Sequence, residues 1–436
     1  MRARRGGNRG IAKLVAMALG YRRILHATIA LVFVLLAGSA VASAATIRPN
    51  ALDRRVDAIP AYELLTRPAV ALVDPDRQAA AIRLVHLTLP GWIAMALFEA
   101  AALFYFWSSG SAAALRDRLR RSLRGESAVR FWFGAALALI ARAAAVLPAF
   151  YLYRVERVMG LSGELTRTWA VFWIGHTLLA MIVAGLIATG ILWLVDRTHQ
   201  WYLYTIVAIL AVSLGWSFAS PYFEVPGSHA IVPIGGQLGD RLRNMVQRAG
   251  FDGIPVLVQT APTAADHAVV TGLGASRRVV VAENLIRGNS QPEVLFAVAV
   301  ALGQIALGSP IFVALIEGGI IIVFSAIAVV IADRVPFRRD DDPLSRLAVV
   351  GMLLALVYLI AVPVRNASLR SYDLDADRYA VRLIGDRAAA VRAIVRAADQ
   401  HMDEVCPEMS ATFFLYTHPT AGIRVQAING VPDRCP

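Results

Sequence analysis

The chain has 436 residues, 57% of them hydrophobic and only 17% charged, with a mean hydropathy of +0.58. That balance excludes an ordinary soluble domain, whose apolar share is about 45–50%, and fits a polytopic membrane protein. The net charge of +12 comes almost wholly from Arg clustered beside apolar segments, which membrane topology explains and which gives no reason to expect a nucleic-acid partner.

Residues 1–45 open with a basic stretch (Arg2, Arg4, Arg5, Arg9, Lys13, Arg22, Arg23), and the apolar run Ile24–Ala42 follows. It reads as a retained first transmembrane helix; Ala42-Ser43-Ala44 leaves a cleaved signal peptide as the alternative. Residues 46–86, with Pro49, Pro60, Pro68 and Pro75, read as an extramembrane loop. Residues 87–219 hold four predicted spans, Leu87–Trp107, Phe131–Tyr153, Trp169–Val195 and Trp201–Ala219. Residues 220–310 form a first polar block, and residues 311–364 two more spans, Ile311–Ala332 and Leu347–Val364. Residues 365–436 form a second polar block. The expected fold is thus a polytopic α-helical membrane protein of about seven transmembrane helices, each near the roughly 20 residues a bilayer requires. Trp92, Trp107, Trp132, Trp169 and Trp201 lie at or near span ends, as interfacial anchors do.

The short loops 108–130 and 333–346 are rich in Arg. The positive-inside rule makes them cytoplasmic, with the N-terminus. Both polar blocks then face the other side, the periplasm of a bacterial inner membrane. Glu99, Arg142, His176 and Glu317 fall inside spans, where a charge needs a partner or a water-filled cavity. A Glu99–Arg142 pair is one reading, a functional chamber the other.

The polar blocks are mostly helical. Gly235–Gly250 reads as an amphipathic helix. Pro255–Gln259 and Arg277–Ala282 read as strands, with Gly272-Leu273-Gly274 turning between them. Helices are expected at Glu293–Gly308, Leu369–Ile384 and Arg387–Gln400. Cys406 and Cys435, the chain's two Cys, are too few for a thiolate zinc site but would pair in an oxidising compartment.

The run Glu293–Gly308 follows the outline E-x-x-x-x-x-x-H-E-L-G-H, in which two His bind zinc and the Glu activates water. Leu302 and Gly303 match it; Val300 and Gln304 stand for the His pair and Ala301 for the Glu.

Taken together, these segments resemble the integral-membrane CAAX prenyl protease type 1 family, zinc metalloendopeptidases of the gluzincin kind. Tyr153–Ser162 resembles its R-x-E-x-x-x-G-x-S segment. His267–Gly272 with Arg278–Val281 resembles its N-A-x-x-x-G…R-I-V hairpin, His267 standing where Asn is usual. Ser371–Ala380 resembles its E-x-x-A-D-x-x-A helix, and Thr417-His418-Pro419 with Arg424 its closing T-H-P-x-x-x-x-R. The resemblance implies a metalloprotease-like α+β extramembrane domain beside an intramembrane chamber. Asp373 takes the third-ligand position, one methylene shorter than Glu, and Asp377, His418 and Arg424 match supporting residues. It also implies a peptide or lipid-modified peptide as ligand.

Val300 has no donor atom and a Gln amide is a poor zinc ligand, so no zinc or other cofactor is expected. The first reading is a zinc-less pseudoprotease with a binding or regulatory role. Its ligand groove would use the strand Arg277–Ala282; Arg424 is expected first to pair with Asp377, a structural role, with Arg278 and Arg424 as receivers of a carboxylate the further reading. A second reading is an active metallopeptidase with non-standard zinc ligands, His267, His418 and Asp373, and Glu293 or Glu283 as base. A third is a chamber-type transporter or channel.

Overall fold

The computed structural model describes residues 55–223, 231–259, 267–334, 342–433 and 435. The predicted first span and its cleavage alternative lie outside them. Every described residue belongs to one compact unit.

After two short helices, α1 (Ala61–Thr66) and α2 (Ala69–Leu72), the chain enters α3 (Pro75–Ser108). Then come α4 (Ser111–Ser122), α5 (Glu126–Val158), α6 (Thr166–Arg197) and α7 (Trp201–Ala219). A small domain follows: β1 (Ile231–Pro233), α8 (Gly236–Arg248), β2 (Val256–Gln259), β3 (Ala268–Thr271), β4 (Arg278–Ala282), α9 (Glu283–Gly288) and α10 (Gln291–Ala306). The chain returns through α11 (Ser309–Arg334) and α12 (Pro343–Ile384) and ends with α13 (Arg387–His401), α14 (Met409–Phe414) and α15 (Ala421–Asn429). Six helices among the described residues, α3, α5, α6, α7, α11 and α12, are long and apolar enough to cross a membrane.

The predicted boundary at residue 365 is not a break. α12 runs for 42 residues, about 63 Å at 1.5 Å per residue, roughly twice the hydrocarbon thickness. Arg365 marks a change of polarity along the helix, not its end. Pro363 removes only its own N–H, and the helix stops at Gly385, whose φ of 73° suits a residue without Cβ. One rigid rod therefore links the bundle to the motif Asp373–Ala380.

Residues 55–74 are also more than a loop. Val56, Leu64, Leu72 and Val73 are buried in the same core as Val294, Leu302, Ile394 and Val425. Arg77, at the start of α3, donates to the Asp399 and Gln400 carbonyls at the end of α13 (2.6 and 2.9 Å). Burial pushes the Asp399 carboxyl up to about 6, against the lowering pull of the Asp74 N–H and Arg55. The start of α3 and the end of α12 thus lie on one side of the bundle.

The sheet order is β1-β2-β4-β3, with β2 and β4 parallel and the other pairs antiparallel. This corrects the groove expectation: Arg278–Ala282 is an interior strand, paired on both sides and largely buried. β3 is the edge. The Ala282 N–H donates to the His267 carbonyl (2.9 Å). Antiparallel alternation then turns the N–H and C=O of Ala268 and Val270 away from β4. Cys406 and Cys435 form a disulfide, with Cα atoms 5.3 Å apart.

Candidate functional site

α10 is started by a capping box in which the Ser290 N–H donates to Glu293 Oε2 (2.6 Å). Its apolar sides sink Val294, Phe296, Val298, Ala301 and Leu302 into the core. Gly303 lets it lie against α12: a Cβ there would meet the Ala376 carbonyl oxygen at 2.9 Å and Ala376 Cα at 3.0 Å. This contact sets Gln304 opposite Asp373, one turn before Asp377 on α12.

A third segment closes the site. Asn366 donates to the Phe413 carbonyl (3.0 Å), and Arg370 to those of Thr412 and Tyr416 (both 2.8 Å). These include the orphan carbonyls at the end of α14, so α12 holds the turn that carries Thr417-His418-Pro419. Arg424 on α15 makes a two-pronged ion pair with the fully buried Asp377 (2.8 and 2.7 Å). Burial works against the Arg424 cation, but Asp377, with Asp373 and Asp403 behind it, outweighs burial and raises its pKa.

The three segments enclose a cavity of about 550 Å³ whose wall includes His267, Val300, Gln304, Asp373, His418 and Arg424, a size usual for a small-ligand site. In its wall Gln304 Nε2 donates to Asp373 Oδ1 (2.9 Å), and His418 Nδ1 donates to Asp373 Oδ2 (2.6 Å). The position read from the sequence as that of a second His therefore touches the one read as a third ligand, but through an amide. Val300 offers no donor, and both Asp373 oxygens are engaged. The donor set does not fit a zinc ion, which needs three protein ligands and an open place for water. Among the described residues no three His, Cys, Asp or Glu side chains are grouped to hold a metal.

Other predicted residues lie elsewhere. Arg278 donates to the Pro221 carbonyl and to Thr271 Oγ1, away from the cavity wall. Glu293 is fully buried and paired with Arg396 (3.2 Å), and Glu283 pairs with Arg287 on the surface; neither lines the cavity as a base would. Glu99 and Arg142 interact electrostatically but not as an ion pair, because the Arg142 guanidinium lies 3.7 Å over the Trp173 ring. Glu317 pairs with Arg365 (2.8 Å), a partner that no sequence pattern singled out. His176 Nδ1 sits 2.7 Å from the Phe172 carbonyl one turn back. His401 and Asp403 also line the cavity; they flank the end of an amphipathic helix and belong to no motif.

Residues 235–431 match peptidase family M48. The chain is 23% identical over 290 residues, 63% of its length and 67% of the relative's, to a protein described as uncharacterized metalloprotease YhfN from Bacillus subtilis (strain 168). Its fold is similar to the crystal structure of S. mikatae Ste24p, with a TM-score of 0.70 and 17% sequence identity, over 87% of this chain and 96% of that one.

Proposed function

We propose that this chain is a CAAX prenyl protease-like member of peptidase family M48, and that it is a pseudoprotease that binds an extended peptide, or a lipid-modified one, without cutting it. The observation that carries this reading is the Gln304–Asp373–His418 network. It fills the place of a metal with an internally satisfied set of hydrogen bonds. Without a metal the site lacks a Lewis acid and a source of hydroxide at neutral pH. Binding needs neither. The edge strand β3 borders the cavity through His267, Ala268 and Val269, and its outward N–H and C=O groups can pair with an added strand. Phe296, Val300, Ile394 and Leu415 give the same cavity an apolar wall for a hydrophobic side chain or acyl group.

The test is metal content and turnover together. Protein purified in detergent should carry no stoichiometric zinc and leave a mixed peptide substrate intact with or without chelator, while retaining a labelled extended peptide. His267 and His418 share the cavity, which favours one rival, the peptidase with non-standard ligands. Stoichiometric zinc, with chelator-sensitive cleavage lost in His267→Ala or His418→Ala, would establish that rival.

The small domain belongs, in this reading, on the periplasmic side of a bacterial inner membrane. The Cys406–Cys435 bond supports an oxidising compartment, and the Arg-rich α4 lies between α3 and α5 at the opposite end of the bundle. A reporter that functions only after export, fused after Pro436, should be active. Activity from a strictly cytoplasmic reporter at the same position would reverse the orientation.

A further inference from the structure

α4 is amphipathic, and its two faces do different work. Ala112, Leu115, Leu119 and Leu123 form one stripe that joins a core with Phe106 of α3, Phe133 of α5, Leu192 of α6 and Leu344 of α12. The helix therefore lies against the ends of four membrane-crossing helices. On one flank Arg116 and Arg120 reach Asp342 at the N-cap of α12 (3.7 and 2.7 Å), and Arg120 also reaches Glu126 (3.0 Å). These two are structural clamps. Arg118 and Arg121 project from the other side of the helix, and Arg124 follows just past its end; all three are exposed. No hydrogen bond or ion pair joins these three to any described residue.

A helix with a buried apolar stripe and a cationic outer face, fixed where spans end, sits at headgroup depth. Three unneutralised guanidinium groups there meet a layer that carries phosphates, and a guanidinium binds phosphate in a two-pronged manner. Anionic headgroups attract such residues by about fivefold in affinity per Arg. We propose that the outer face of α4, through Arg118, Arg121 and Arg124, is a binding surface for anionic phospholipid of the adjacent leaflet. The charge complementarity is local, because Arg116 and Arg120 are already neutralised by the protein.

Native mass spectrometry of the detergent-purified full chain, given equal amounts of phosphatidylglycerol and phosphatidylcholine, tests this. The protein should retain phosphatidylglycerol preferentially. Arg118→Gln/Arg121→Gln/Arg124→Gln should reduce that preference by roughly 100-fold, and each single variant by about fivefold. Raising salt to about 1 M should reduce it too, because screening then acts within about 3 Å. Arg248→Gln/Arg382→Gln, at other exposed cationic sites, should leave it unchanged. An unaltered preference in the triple variant would overturn the proposal. So would a wild-type protein stabilised as well by inorganic phosphate at matched ionic strength as by phosphatidylglycerol, since that would make the ligand a free anion.

Discussion

Val300→His, Gln304→His and Asp373→Glu, combined, should yield a protein that carries about one zinc per chain. Positions 300 and 304 are one helical turn apart on α10 and both line the cavity. Asp373 faces them from α12, already within 2.9 Å of the Gln304 amide. Two imidazoles and a carboxylate from those positions make the three-ligand set of a zinc site with an open fourth place. The longer Glu reaches past the present Gln304–Asp373 contact and leaves His418 as an outer partner of the carboxylate, the kind of support that tunes metal ligands. Zinc at 100 times its dissociation constant should then raise the unfolding free energy by about 2.7 kcal/mol. Ala301→Glu is best added as a separate fourth change. Ala301 is fully buried, so a carboxylate there will cost stability unless the metal and its water receive it. Elemental analysis reads the first step and chelator-sensitive peptide cleavage the second. A triple variant that folds but takes up no zinc would show that α10 and α12 are not in metalloprotease register.

Much of the membrane part was legible because hydropathy over some 20 residues is a strong local signal. Each of the six predicted spans within the described residues falls inside an observed helix, and Trp201–Ala219 matches α7 end to end. The errors lie where long-range packing decides. Leu347–Val364 and Leu369–Ile384 looked like two helices because polarity changes at Arg365; polarity changes with the solvent around a helix and does not by itself end one. Residues 55–74 looked like a loop because their Pro residues break local pattern, while the helices that α1 packs on, α13 and α15, lie more than 300 residues further along the chain. β1 and β3 are three and four residues long, too short for alternation to register; the hairpin resemblance placed a partner at His267–Gly272, yet the open edge was assigned to β4. In the site, the expected frame rested on Leu302-Gly303, and Gly303 has a physical reason in its contact with Ala376. The Gln304–Asp373 hydrogen bond spans 69 positions, and only a motif relates two such residues in advance.

Removing one member of the Glu293–Arg396 pair should destabilise the protein by about 3–5 kcal/mol. Glu293 is 0% and Arg396 1% exposed. Arg396 donates to Glu293 Oε1 at 3.2 Å through one nitrogen and 3.4 Å through another, and also pairs with Asp57. The pair therefore pins α10 to α13 and to the segment preceding α1. Burial disfavours the Arg396 cation, but Glu293 and Asp57 outweigh it, so its pKa is raised and the charge persists. Arg396→Met would bury the Glu293 carboxylate without its counter-charge; Glu293→Gln would take from the guanidinium its buried carboxylate and weaken the cap of α10. The double variant should recover part of either loss, since a buried pair is often replaceable as a unit. Unfolding in detergent, followed for both single variants and the double, gives the coupling directly. Peptide retention by the folded fraction should stay at the wild-type level, because Glu293 caps a helix and does not line the cavity. A Glu293→Gln protein of unchanged stability that had lost peptide binding or cleavage would make Glu293 a chemical residue and refute its role as a cap and buried counter-charge.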